Sequence, residues 1–442
     1  MKHYPATLRH LDSSRIEINF VDKVAIFLVF IYWVIYENVI FFNIIDEYYL
    51  AAIVISLLKI CIPIILLGYS GINTNLFKIN RISIYTLFFL LFLFWVGLVT
   101  AISGELFEWV KLLPRFVFYL AALNLFYKNP LIAYNFFKLM IAYVVFGLLQ
   151  YVSTYLSGAA DNPIIIFGYT SSGISGLYAN ISSAMYFPGT QTPFIRYAGF
   201  WNEPSNASGS AFASFFLCRF LYRVESRHLW RYASFLCLLS GFLCLSNAGY
   251  FGFGISLLIG YVFIDAKRNA RQNLLSYMIP LLFVALILFS LFGRSYLLNS
   301  EFNEIDFLRA IVGLRDSNED VSSGRIQLVM NTLNYLNDNL IGMGLTPFDI
   351  KQNTLVSASA IFYWLLIGGP IGLILLILRE LVLFKASLRL ARLSGVYLCI
   401  FQAWCMVMMQ HIAYGSWMNP NYFIFASAML AFGAREIDQK VD

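Results

Sequence analysis

Ile82-Ser-Ile-Tyr-Thr-Leu-Phe-Phe-Leu-Leu-Phe-Leu-Phe-Trp-Val-Gly-Leu-Val-Thr-Ala-Ile-Ser103 contains no Asp, Glu, Lys, Arg or His. Lys78 and Arg81 stand before it and Glu105 follows it. As a helix rising about 1.5 Å per residue, the run is about 33 Å long, enough for a hydrocarbon core of about 30 Å. Working outward, the same pattern recurs along the whole chain. Spans are predicted at 24–45, 49–69, 82–103, 109–127, 131–157, 205–222, 229–247, 249–265, 275–293, 356–378, 395–414 and 417–434. The expected fold is therefore an all-α polytopic membrane protein of about 12 transmembrane helices, with residues 1–442 forming one integral membrane domain.

Composition points the same way. The 442 residues are 60% apolar and 12% charged, with a mean hydropathy of +0.72. Soluble domains are about 45–50% apolar and about 25% charged, so a soluble fold is excluded. Met1 to Lys23 is polar and no small-residue cleavage site follows the first apolar run, so the first helix is expected to act as the insertion signal. The six cysteines, Cys61, Cys218, Cys237, Cys244, Cys399 and Cys405, all fall inside predicted spans. Neither a disulfide framework nor a metal site is expected from that placement.

The net charge of +6 is distributed as a topology signal. Basic residues cluster in alternate connections: Lys2 to Lys23, Lys78 and Arg81, Lys128, Arg219 to Arg231, Lys267 to Arg271, Arg379 to Arg392, and Arg435 with Lys440. The short turns on the other side, Asp46-Glu47 and Ser103-Gly104-Glu105, carry none. By the positive-inside rule both termini are cytoplasmic, and nucleic acid is not expected as a partner. Two long connections then fall outside, 157–204 and 294–358. The first is rich in Gly, Ser, Asn, Pro and Tyr and predicts an irregular loop. The second is predicted to be partly helical, with stripes at Ile305, Leu308, Ile311 and Val312 and at Ile326, Val329, Met330, Leu333, Leu336 and Leu340. Loops this long usually carry function, so an extracytoplasmic site is expected. No inverted repeat of the transporter kind is legible.

Several residues suggest chemistry. The segment Arg196-Tyr-Ala-Gly-Phe-Trp-Asn-Glu203-Pro204-Ser-Asn-Ala-Ser-Gly209 enters the sixth span, with Pro204 where a helix begins. Glu203 either caps that helix or acts as a base, and Arg196 either marks the interface or joins the helix N-terminus in holding an anion. In Ser323-Gly324-Arg325 the arginine opens an amphipathic helix, and its planar fork suits phosphate. Lys111 and Arg115, one turn apart, are expected to share a face at the outer end of the fourth span. They either snorkel to the interface or face a lipid diphosphate. Glu37 and Lys59 are expected to form a structural pair, whereas Lys138 and His411 have no partner assigned from sequence. Walker, zinc, dinucleotide and serine-elbow signatures are lacking.

The spans, the Gly/Ser-rich outer loop with its Arg…Gly-Phe…Glu-Pro segment and the larger helical outer loop together resemble the O-antigen polymerases (Wzy type) and the related O-antigen ligases. The matching segments are Arg196 to Gly209, Ser246-Asn-Ala-Gly-Tyr250, Ser323-Gly-Arg325 with Leu340-Ile-Gly-Met-Gly344, and Gln352-Asn353-Thr-Leu355 with Gly368-Gly-Pro-Ile-Gly372. Ligases carry a histidine where Gln352 stands, which favours a polymerase. The resemblance implies a GT-C-like, metal-independent and cofactor-free glycosyltransferase of the bacterial inner membrane, acting at its periplasmic face. It implies a glycan donor on undecaprenyl diphosphate and, as pathway partners, a chain-length regulator and a flippase. Arg196 and Arg325 are then expected to hold the diphosphate, with Glu203 as base. Lys111, Arg115, Tyr197, Asn206, Gln352 and Asn353 are expected to bind lipid or sugar, and Trp201 to stack on sugar rings. A transporter of lipid-linked glycans is the competing class.

Overall fold

The computed structural model describes residues 18–37, 49–156, 184–185, 194–195, 201, 204–244, 246–264, 334, 336, 340–345, 360–413 and 418–441. They form α1 (Phe20–Glu37), α2 (Tyr49–Ser70), α3 (Asn80–Ile102), the short α4 (Leu106–Val110), α5 (Leu113–Lys128), α6 (Pro130–Leu156) and α7 (Pro204–Glu225). The helices α8 (Leu229–Leu243), α9 (Asn247–Ile264), α10 (Ala360–Leu393), α11 (Gly395–Ala413) and α12 (Pro420–Val441) follow. Within the first long connection one antiparallel ladder pairs β1 (Ala184–Met185) with β2 (Phe194–Ile195), Ala184 opposite Ile195.

The helix made by the quoted run, α3, is apolar all round. Phe89, Phe92 and Val96 are fully buried, while Leu90, Leu91 and Phe94 stand exposed on its other side. A helix of this kind is stable where both its protein-facing and its outward-facing surroundings are apolar. Among the described residues five helices are long and apolar enough to cross a bilayer: Ala52–Ser70, Arg81–Ile102, Pro130–Leu149, Ile361–Leu393 and Gly395–Ile412. This is the make-up of a helical membrane protein.

At the centre α7 packs on α8 and α11, and its small residues Ala207, Ser208, Ser210 and Ala211 are fully buried there. Close backbone approach through small residues is the usual way helices associate without a hydrophobic drive between them. Around that centre α10 lies on α3 and α11, and α5 lies between α2 and α12.

Two predicted spans differ most in the structure. The fourth does not run unbroken from 109: α4 ends at Val110, Lys111 caps it, and α5 starts at Leu113 with Pro114 in its first turn. Proline suits a helix start because its missing N–H has no partner there in any case. The span at 356–378 continues instead to Leu393 and is kinked at Gly369 (φ 60°) next to Pro370. Proline removes the hydrogen bond to the carbonyl four residues back. That carbonyl, on Leu366, accepts instead from Met343 N at 2.9 Å; Ile367 O accepts from Gly344 N at 3.0 Å, and Gly368 O from Trp95 Nε1 at 2.6 Å. Leu345 N donates to Thr100 Oγ1 at 3.0 Å and completes the tether. Gly342 has positive φ, and a Cβ there would meet Ile367 O at 2.5 Å, so this approach needs glycine. The strip 340–345 is thus bonded into the kink. Its end of the bundle is termed the loop end, and the opposite one the basic end.

Candidate functional site at the loop end

Pro204 opens α7, as the sequence predicts, and Asn206 lies in its first turn. The Asn206 backbone and side-chain oxygens both accept from Gln410 Nε2 of α11, at 3.2 and 3.1 Å. Gly209 lies one turn on, and a Cβ there would overlap Gln410 Oε1 and Cδ. The Ser246–Tyr250 segment joins from the other side, where Ser208 Oγ fills the place of a Gly249 side chain. Gln410 Oε1 and both ring nitrogens of His411 are buried with no partner among the described residues. His411 meets Tyr422 edge-on, ring centroids 6.3 Å apart.

Beside this lies a matched charge knot. Arg379, expected in a basic cytoplasmic connection, is instead fully buried, because α10 runs on past the predicted end of its span. Its Nε and Nη2 lie 2.8 and 2.6 Å from Glu380 Oε1, and Tyr422 OH donates to Glu380 Oε2. Phe89 presents its ring 4.9 Å from the guanidinium carbon. Charge, hydrogen bonds and aromatic faces together compensate the burial of this arginine in so apolar a place.

A second cationic group is not matched in this way. Arg115 and Lys59 share one ring, with Arg115 Cζ 5.3 Å and Lys59 Nζ 4.9 Å from the Tyr36 centroid. Arg115 Nη1 reaches the Met418 carbonyl at 3.4 Å, while its buried Nε has no partner among the described residues. Among the described residues neither cation has a carboxylate in ion-pair range there. The expected Glu37–Lys59 pair involves a Glu37 side chain outside the described residues. On α2, Lys59 is flanked by exposed Leu57, Leu58 and Ile60, so the pair borders the outward-facing apolar surface. Two cations beside one aromatic face, open to that surface, are suited to an anionic head group.

Other expectations resolve as follows. Arg196, Tyr197, Glu203, Arg325, Gln352 and Asn353 lie outside the described residues. Lys111 does not share a helical face with Arg115, since the helix breaks between them; it is exposed and pairs with Glu108 at 2.5 Å. Trp201 is fully buried, edge-on to Tyr143 at 5.1 Å and to Trp33 at 6.3 Å, so its ring packs against α1 and α6. At the basic end Lys138 does have a partner. Its Nζ lies 2.7 Å from Glu225 Oε1, and Glu225 also accepts from Tyr134 OH and from Trp230 Nε1. Burial pushes the Glu225 carboxyl up, but Lys138, Tyr134 and Trp230 outweigh it and hold the group below the usual glutamate range. Sequence reasoning passed over Lys59 as a partner of Arg115, and also Gln410. A lone lysine in an apolar run was the available signal for the first, and nothing marked the second. Comparison with protein-family models gives no match, and neither does comparison with curated protein sequences.

Proposed function

We propose that this chain is a glycosyltransferase of the O-antigen polymerase kind. In this reading it has twelve spans with both termini cytoplasmic, and it works at the periplasmic face of a bacterial inner membrane. It moves a glycan from undecaprenyl diphosphate to a sugar hydroxyl of another lipid-linked repeat unit. One observation supports this most: the segments that carry the resemblance meet in pairs. Ser208 packs on Gly249, and Gly342 lies close against Gly369, where a Cβ would in turn meet the Leu340 carbonyl.

In the proposed reaction the anomeric C–O bond to the diphosphate breaks as the acceptor oxygen bonds to that carbon. The hydroxyl proton passes to Glu203, and the lipid diphosphate leaves with its negative charge held by Arg196 and Arg325. Lys59 and Arg115 take the head group where it meets the bilayer. The test is polymerisation of purified lipid-linked repeat units by the full chain in nanodiscs, with donor binding followed separately. Arg196→Ala and Arg325→Ala should abolish polymer, and lysine should rescue poorly because it offers no planar fork. Glu203→Gln should lower turnover far more than donor binding; full activity in that variant removes it as the base.

A ligase reading predicts that cells lacking the protein accumulate complete polymer on the lipid carrier. The polymerase reading predicts a surface glycan of at most one repeat. The transporter class rests on one observation, the close pair of Arg379 and Glu380 inside the bundle. Movement of lipid-linked glycan across proteoliposomes without polymer formation would favour it.

A further inference from the structure

Two grooves open near the basic end of the bundle, and their cations are used differently. The first, of about 540 Å³, is lined by Asn73, Asn124, Tyr127, Lys128 and Arg435 among others. Its charges are committed: Arg435 Nη1 donates to Tyr127 O at 2.7 Å, and Lys128 lies 5.3 Å over the Tyr69 ring. The second, of about 630 Å³, lies between the start of α3 and the last turns of α10. It is lined by Lys78, Arg81, Lys385 and Arg389 around Ile79, Ile84, Val382 and Ala386.

Among the described residues no carboxylate lines this second groove, and none of its four cations has an ion pair. Charge that serves topology alone has no reason to converge, because solvated cations repel and spread. Here two cations from each side meet over an apolar floor. Ile84 on α3 and Leu381 on α10 are exposed nearby, so the floor continues into the outward-facing apolar surface of both helices.

We propose that this groove binds an anionic phospholipid, with its phosphate held between Lys78 and Arg81 on one side and Lys385 and Arg389 on the other. Its acyl chains run along Ile79, Ile84 and Val382. Four cations match a head group carrying two phosphates better than one carrying a single phosphate. The arginines supply bidentate contacts and the lysines point charge. Basic pockets between helices on the cytoplasmic side are suited to such lipids, since the leaflet there is itself anionic. The inference is independent of the reaction proposed above. It concerns the opposite end of the bundle and holds for any function of the chain.

The experiment is native mass spectrometry of the full chain in detergent, titrated separately with cardiolipin, phosphatidylglycerol and phosphatidylcholine. Cardiolipin should be retained most strongly, phosphatidylglycerol less, and phosphatidylcholine hardly at all. Lys78→Gln/Arg81→Gln and Lys385→Gln/Arg389→Gln should each weaken cardiolipin retention about tenfold or more. Arg81→Lys/Arg389→Lys should lose the bidentate contacts but keep the charge, and so bind cardiolipin more weakly than the parent and more strongly than either glutamine variant, which guards against loss through misfolding. Lys23→Gln/Arg227→Gln, removing cations of the same end outside the groove, should change nothing. Equal retention of phosphatidylcholine would reduce the groove to an apolar contact and overturn the proposal. So would unchanged cardiolipin binding in both groove variants. Displacement of the lipid by millimolar inorganic phosphate or by an acidic peptide would overturn it too, because the occupant would then not be a lipid.

Discussion

Arg379 and Arg115 both reach Met418, one through its sulfur and the other through its carbonyl, yet their surroundings are opposite. Arg379 has a carboxylate beside it, a tyrosine completing that carboxylate, and aromatic rings around the guanidinium. Arg115 has a tyrosine face, one long bond to a carbonyl, and Lys59 as its companion. The first is matched by a carboxylate, whereas among the described residues the second is not. A matched charge in an apolar bundle holds helices together, and breaking it leaves its partner stranded. An unmatched pair contributes little to the fold and has its interaction left to offer an anion.

The sharpest way to break that comparison is Arg379→Met. It should cost about 3–5 kcal/mol by stranding Glu380. Arg379→Met/Glu380→Gln should recover much of that, read as melting of the purified chain in detergent. A single variant that melts like the parent would mean the pair is not what holds α10 to α12. Glu225→Gln comes next, at about 1.5–3 kcal/mol, the scale of hydrogen bonds to a charged group. Because the Glu225 carboxyl titrates below its ordinary value in the fold, its contribution is complete above the unfolded value. It is lost as pH falls through the lower folded value. Melting of the parent should therefore fall more steeply with acid than melting of Glu225→Gln, and parallel curves would contradict the assignment.

Gly209→Ala should cost about 1–3 kcal/mol, since Gln410 must leave its place and both bonds to Asn206. If the loss is absent, α7 and α11 are not as close as the structure has them. The smallest effect on stability is expected from Lys59→Met and Arg115→Met, within about 1 kcal/mol, the scale of a cation over an aromatic ring. Binding of a polyprenyl diphosphate should nevertheless weaken clearly in both. Large destabilisation with unchanged binding would invert the comparison and make this pair structural.

Much of the fold was legible because an apolar run long enough to span a bilayer declares itself locally. The Ile82–Ser103 run became α3 nearly residue for residue, and Pro204 opened α7 where its chemistry said a helix begins. Boundaries failed where local pattern and backbone chemistry competed. Pro114 started α5 later than hydropathy alone suggested, and α10 ran on past the predicted end of its span, carrying Arg379 to Tyr422. The site was legible as segments and not as contacts. Gly209 and Gly369 stood in the quoted motifs, but the sequence did not say that one faces Gln410 and the other Leu340.

By itself, then, the sequence determined a helical membrane protein, the place of most of its helices, and an asymmetric distribution of basic charge. Each of these is set by neighbours within about 20 residues, through backbone hydrogen bonding and transfer of apolar side chains out of water. Only the tertiary structure decided which charges are matched. Glu380 and Tyr422, Lys138 and Glu225, and Arg115 and Lys59 come from different helices, and their meeting depends on how those helices pack. The worth of a charge in a low-dielectric bundle depends on its distance to the next one, which sequence spacing does not encode.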